Sequence, residues 1–200
     1  DKNKKTNVIG LDYTVSDNLI YTIDYSRSNI KDDNSGEFSR DIIDLAANYT
    51  NNNFRSSNIV EYRLDDKDEK FKQFILKSNS KWNYDKQFNY ISEIEYSKEE
   101  KLNKHYFEGN LGLAYRPIEN NRFNYLFKYT YLNQKNLSNQ NTEAELGDYE
   151  AEKSQILSLD LIFKLNPKLQ LSEKIAYKNS ELKLNNLDNS GTSSETYLWS

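Results

Sequence analysis

The sequence predicts an all-β fold of about ten to eleven antiparallel, up-and-down strands. Three observations carry that expectation. Apolar residues recur with a period of two along nearly the whole chain, polar connections separate the runs at regular spacing, and no apolar run of 18 residues exists. The last point removes a membrane-spanning helix. The 200 residues form one domain, 1–200.

The strands are read in order. Ile9, Leu11, Tyr13 and Val15 alternate with Gly10, Asp12 and Thr14. Leu19, Tyr21, Ile23 and Tyr25 alternate with Ile20, Thr22 and Asp24. Ile43, Leu45, Ala47 and Tyr49 alternate with Asp44, Ala46 and Asn48. Val60, Tyr62 and Leu64 follow, then Leu76, Trp82 and Tyr84, whose apolar face is diluted by Ser78 and Ser80. Tyr90, Ile94 and Tyr96 oppose Glu93 and Glu95. Phe107, Leu111, Leu113 and Tyr115 come next, followed by Phe123, Tyr125, Phe127, Tyr129 and Tyr131 facing away from Lys128. Leu157, Leu159, Leu161, Phe163 and Leu165 oppose Asp160. Leu169, Leu171, Ile175 and Tyr177 oppose Lys174, with Glu173 a misfit on the apolar side. Successive side chains of a strand point to opposite faces, so each run has one greasy and one wet side.

Composition excludes several classes. Only 36% of residues are hydrophobic and 29% are charged, the balance of a disordered chain, yet 16 Tyr, 9 Phe and 2 Trp are far too many aromatics for one. Net charge is −4 with both signs interspersed, so no basic stripe is present to neutralise phosphates and nucleic acid is not an expected partner. The absence of cysteine removes disulfides, thiolate metal sites and a thiol nucleophile. No signal peptide is visible, because Asp1-Lys2-Asn3-Lys4-Lys5 leads directly into a strand-like run.

The connections sharpen the fold. Ser16-Asp17-Asn18, Asn51-Asn52-Asn53, Asp85-Lys86-Gln87, Pro117 to Asn121 and Asn166-Pro167-Lys168 read as tight turns. Longer polar stretches alternate with them: Arg27 to Arg40, Asp65 to Lys70, Ser97 to His105, Asn133 to Lys153 and Asn179 to Ser194. Short and long connections in strict alternation are the pattern of a transmembrane β-barrel with short periplasmic turns and long extracellular loops. On this reading Leu11, Tyr13, Tyr21, Ile23, Leu45, Tyr49, Leu113, Tyr115, Tyr125, Phe127, Tyr129, Leu159, Leu161 and Phe163 face outer-membrane lipid. Asp12, Asp24, Asp44, Glu93, Glu95, Lys128, Asp160 and Lys174 face the lumen. Barrels of this type begin and end on the periplasmic side. The expectation is therefore a barrel segment truncated at both ends, with upstream and downstream parts of the same polypeptide as partners. The alternative is a soluble antiparallel sheet whose charged side is simply solvated.

Gly112-Leu113-Ala114-Tyr115-Arg116-Pro117, then Asn121-Arg122-Phe123-Asn124-Tyr125-Leu126, then Lys128-Tyr129-Thr130-Tyr131-Leu132 resemble a recurrent stretch in the C-terminal barrels of large bacterial outer-membrane proteins. Lys153 to Ser158 and Lys174 to Lys178 continue the pattern, so the resemblance covers roughly 107–200. Asn121 stands where that stretch usually has aspartate. The resemblance implies a porin-like fold and an outer-membrane location, and it implies no catalytic residues.

Chemistry-bearing groups are few. His105 is the sole histidine, with no serine and acid at a spacing that would make a triad, and it reads as a solvated loop residue. Asp65-Asp66-Lys67-Asp68-Glu69-Lys70 lacks the glycine and the terminal glutamate of a calcium loop. Glu143, Glu145, Asp148, Glu150 and Glu152 make the longest connection acidic, which most often means solvated. No enzyme activity, cofactor or metal is expected. The function expected is a passive pore or the membrane anchor of a larger surface protein. The alternatives are a soluble surface sheet or adhesin-type module, and a gated transporter, which needs a plug domain.

Overall fold

The computed structural model describes residues 2–32, 36–66, 71–100, 104–117, 122–135, 149–166, 168–184 and 192–200. The chain forms eleven strands: β1 Lys2–Ser16, β2 Leu19–Asp32, β3 Gly36–Thr50, β4 Phe54–Asp65, β5 Phe71–Asn83, β6 Phe88–Glu99, β7 Lys104–Tyr115, β8 Phe123–Lys135, β9 Tyr149–Asn166, β10 Leu169–Leu184 and β11 Thr192–Trp199. They make one antiparallel sheet in which spatial order equals chain order. The sheet is open, with β1 and β11 as its two edges.

Away from the strand ends every register keeps alternate residues of a strand on the same face as those of its neighbours. One row illustrates it: Leu11, Ile23, Leu45, Val60, Leu76, Tyr96 and Phe107 stand opposite one another in sequence across seven strands. The row continues through Asn133 and Lys153, near the far ends of β8 and β9. It starts near the tight-turn end of β1 and climbs, so the strands are inclined to the row, the stagger that barrel closure requires. The register shifts lie only at strand ends, between Thr14 and Ser16, Leu169 and Gln170, and Lys183 and Leu184.

Side-chain caps build the tight turns. Asn51 Oδ1 accepts from the Asn53 and Phe54 backbone N–H groups at 2.9 and 2.6 Å. Asp85 Oδ1 accepts from those of Gln87 and Phe88, both at 2.7 Å, and Asn166 Oδ1 from that of Lys168 at 2.9 Å. These are local side-chain hydrogen bonds of the Asx type, the reason Asn and Asp sit at these positions.

The far connections correct the sequence reading. They span only 33–35, 66–70, 100–103, 136–148 and 185–191, against 17–18, 51–53, 84–87, 116–122 and 167–168 at the tight end. Only 136–148 exceeds every connection at the opposite end. Three of the five polar stretches read as long loops, Arg27 to Arg40, Ser97 to His105 and Asn179 to Ser194, are mostly strand, because a strand that leaves its apolar band is polar on both faces and loses the alternation that identifies it. Gly36, at φ 73°, opens β3 in the left-handed region where a side chain is strained.

The molecule is not built around a core. Its accessible surface is 14839 Å², well above the roughly 9,800 Å² of a compact monomer of this mass. Among the described residues only Ile30 and Ile75 are buried apolar side chains. Cohesion therefore comes chiefly from the backbone ladders and cross-strand pairs. A one-residue insertion after Phe127 should abolish folded, protease-resistant protein, because it swaps the faces of half of β8. A two-residue insertion restores parity and should keep most of it; equal yields of the two would contradict the role of register.

Candidate functional site

The sheet places every charged residue singled out above on one face: Asp12, Asp24, Asp44, Glu93, Glu95, Lys128, Asp160 and Lys174. Leu11, Tyr13, Tyr21, Ile23, Leu45, Tyr49, Leu113, Tyr115, Tyr125, Phe127, Tyr129, Leu159, Leu161 and Phe163 share the other. The five buried residues, Ser28, Ile30, Ile75, Ser154 and Ser180, all lie on the charged face. A curling sheet crowds the side chains inside the curl and spreads those outside, so the charged face is the concave one. The large exposed hydrophobic side chains lie on the convex face, apart from Val8, Ile20, Leu126 and Leu198.

Polar pairs, most of them between strands and some along one strand, knit the concave face. Arg40 grips Asp65 through two bonds of 2.6 and 2.7 Å, and Arg63 bonds Glu61. Lys77 pairs with Glu95 at 3.4 Å, Lys174 with Asp160 at 3.8 Å and Lys178 with Glu152 at 3.5 Å. Thr22 donates to Asp12 at 2.6 Å. Tyr106 and Asn110 both donate to Glu108, and Thr130 donates to Asn110. Lys77, Asn79, Glu93, Glu95, Glu108 and Asn110 line an open recess of about 300 Å³. Asp24, Asp44 and Glu61 stand directly opposite one another on β2, β3 and β4. Asp24 folds over Gly10: a Cβ there would lie 2.1 Å from its Oδ1, so the glycine supplies the room for this carboxylate. Arg40 and Asp65 escaped the sequence reading because they fall where alternation fades, in stretches taken for loops; extending parity past the apolar band would have found them.

The convex face is layered. Along β1 to β10 it shows four to six mostly apolar positions, running from the tight-turn end, then polar residues. At the tight-turn end aromatic rings meet between strands and, at β5, between the strand and its turn. Tyr49 meets Phe54 at 6.0 Å, Trp82 meets Tyr84 at 5.4 Å, Phe88 meets Tyr115 at 4.6 Å and Tyr115 meets Tyr125 at 5.2 Å. A second row closes the band at its other edge, with Phe74 and Tyr96 at 6.2 Å and Phe107 and Tyr131 at 5.9 Å. Aliphatic Ile23, Leu45, Val60, Leu76 and Leu111 fill the interval. Two aromatic girdles flanking an aliphatic band is the pattern of a bilayer-spanning barrel exterior.

The misfits on this face have partners. Glu173 accepts a 3.0 Å bond from the Trp199 indole N–H, across β10 and β11. Ser78 donates to Asn58 at 2.6 Å, Asn58 to Ser56 at 3.0 Å, and Ser56 and Ser80 bond at 3.0 Å. The serines that dilute the apolar pattern thus satisfy one another.

His105 lies in β7 on the convex face, opposite Lys98 and Lys135, and not in a loop. No group of three or more metal-ligating side chains occurs among the described residues. Glu143, Glu145, Asp148 and residues 67–70 lie outside the described residues. Beyond the apolar band, Lys31 holds the Glu37 carboxyl below its usual range, by its hydrogen bond first and its charge second.

No family model matches the chain, and no curated protein matches it. Among solved structures the chain is similar to BauA, the ferric preacinetobactin receptor of Acinetobacter baumannii, with a TM-score of 0.60 at 11% identity. The match covers 98% of this chain and 42% of the receptor chain, so the chain spans less than half of that protein. At that identity the likeness shows the fold, that of a β-barrel receptor's strands. Replacing Asp65→Ala should lower unfolding free energy by about 1–3 kcal/mol, the loss of a charge-assisted double bond to Arg40. An unchanged denaturation midpoint would remove this pair from the account.

Proposed function

We propose that the chain is part of an outer-membrane β-barrel of a Gram-negative bacterium, acting as a passive pore or as the membrane anchor of a larger surface protein. The single observation that carries this is the inverted partition. The crowded, concave face is polar, and the convex face is an apolar band between two aromatic rows. A soluble sheet needs the reverse, an apolar face covered by a second layer; among the described residues none lies over it. The band's outward positions span about 20–34 Å along the strand, which suits a tilted crossing of the hydrocarbon.

The likeness to a β-barrel receptor and the resemblance of 107–200 to outer-membrane barrel C-termini support the same reading. The receptor's cargo is not carried over. That receptor takes ferric preacinetobactin, and an 11% identical chain covering 42% of it supplies no cargo-binding residues. Outer-membrane lipid then contacts the convex face. Water and the cross-strand ion pairs occupy the concave one, where rings of charge set weak ion selectivity.

In the pore version, Asp24→Asn, Asp44→Asn and Glu93→Gln together remove three concave-face carboxylates. The reversal potential across planar bilayers under a salt gradient should then shift toward anion preference. Conductance with unaltered selectivity, or none at all, would exclude the charge-lined pore and leave the anchor.

A further inference from the structure

We propose that the convex face of β6–β8, just beyond the upper aromatic row, docks the phosphate headgroup of an anionic lipid. The inference rests on the barrel reading above and adds a binding site to it. Lys98, His105 and Lys135 stand directly opposite one another on three consecutive strands. All three have the outward parity of Tyr96, Phe107 and Tyr131. Two lysine ammoniums thus flank one imidazole, two strands apart on the same face, and a single anion over the row would meet both charges.

The rest of this rim shows how the chain handles outward charge when it neutralises itself. Arg27 lies 3.8 Å from Asp41, Lys31 2.8 Å from Glu37 and Lys72 4.0 Å from Glu100, and Lys153 stands opposite Glu181. Lys98 and Lys135 have no ion pair with any carboxylate among the described residues. The tight-turn rim offers nothing comparable: from β1 to β8 its outward strand positions are Val15, Leu19, Tyr49, Phe54, Trp82, Phe88, Tyr115 and Phe123, and Leu165, Leu169 and Trp199 follow on β9 to β11. Among the described residues, unpaired lysines at outward strand positions therefore lie at one rim and not at the other.

Depth and reach fit a headgroup. Lys98 lies two residues past Tyr96, about 7 Å along the strand and beyond the aromatic edge of the band. That is the depth of the polar headgroup layer. Two strand spacings separate Lys98 from Lys135, about 10 Å at the backbone, so flexible lysine side chains can converge above His105. Ammonium groups bring three donors each and the imidazole adds a ring N–H, a set that matches phosphate oxygens. The acyl chains of the same lipid would lie over Phe74, Tyr96, Phe107 and Leu111 directly beneath.

The test is native mass spectrometry of the purified full-length protein from mixed micelles of phosphatidic acid and phosphatidylcholine. Vesicle flotation of the same preparations reads membrane insertion separately. Wild type should retain phosphatidic acid selectively, and inorganic phosphate should not displace it. Lys98→Gln with Lys135→Gln should cut that retention roughly thirtyfold while flotation is unchanged. Lys86→Gln, in a tight turn at the opposite rim, should leave both unchanged. Retention equal in wild type and the double variant would overturn the site, as would displacement by inorganic phosphate, which would mark a free-anion site. Protein that fails to float would overturn the barrel reading; protein that floats without lipid preference overturns only this inference.

Discussion

Side chains on a β-strand alternate between two faces, so a sheet is amphipathic only while every pairing preserves parity. A slip of one residue would carry an entire apolar set to the wrong side. Eleven strands in one sheet multiply that demand, since one faulty register reverses every strand beyond it. Here the register shifts are confined to strand ends, and the row from Leu11 to Phe107 crosses seven strands without leaving its face. The layered exterior, the polar interior and the aromatic rows all follow from that continuity.

The partition also explains how so polar a chain holds a fixed structure. With two buried apolar side chains among the described residues, stability cannot rest on a conventional core. In a bilayer it need not, because lipid solvates the apolar band and the uncompensated cost falls on backbone polar groups instead. The ladders meet that cost along each strand, leaving only the outer edges of β1 and β11 unpaired within the sheet. Polar residues inside the band obey the same rule. Glu173 is held by Trp199, and Asn58 ties Ser56 and Ser78 together across β4 and β5.

Much of this was legible in the sequence. The period of two located ten of the eleven strands, and it grouped the selected carboxylates and lysines on one side, away from the apolar residues. Strand ends were not legible. Past the band both faces of a strand are wet, and Arg27 to Asp32 or Gly36 to Arg40 looks like loop although it is paired. His105 was misplaced for that reason. Nor could one dimension show that Glu173 meets Trp199, 26 residues away, or that Gly10 makes room for Asp24. Such partners are set by register, which appears only once neighbouring strands are aligned.

The chain contains no cysteine, so single cysteines can be introduced without background. Spin labels placed one at a time from Phe123 to Tyr131, in protein reconstituted into lipid vesicles, would report oxygen and water-soluble relaxant access at each position. Odd-numbered sites should favour oxygen and even-numbered sites the aqueous reagent, alternating without interruption along β8. Equal aqueous access at both parities, or odd-numbered sites shielded from both reagents, would contradict a lipid-facing convex surface.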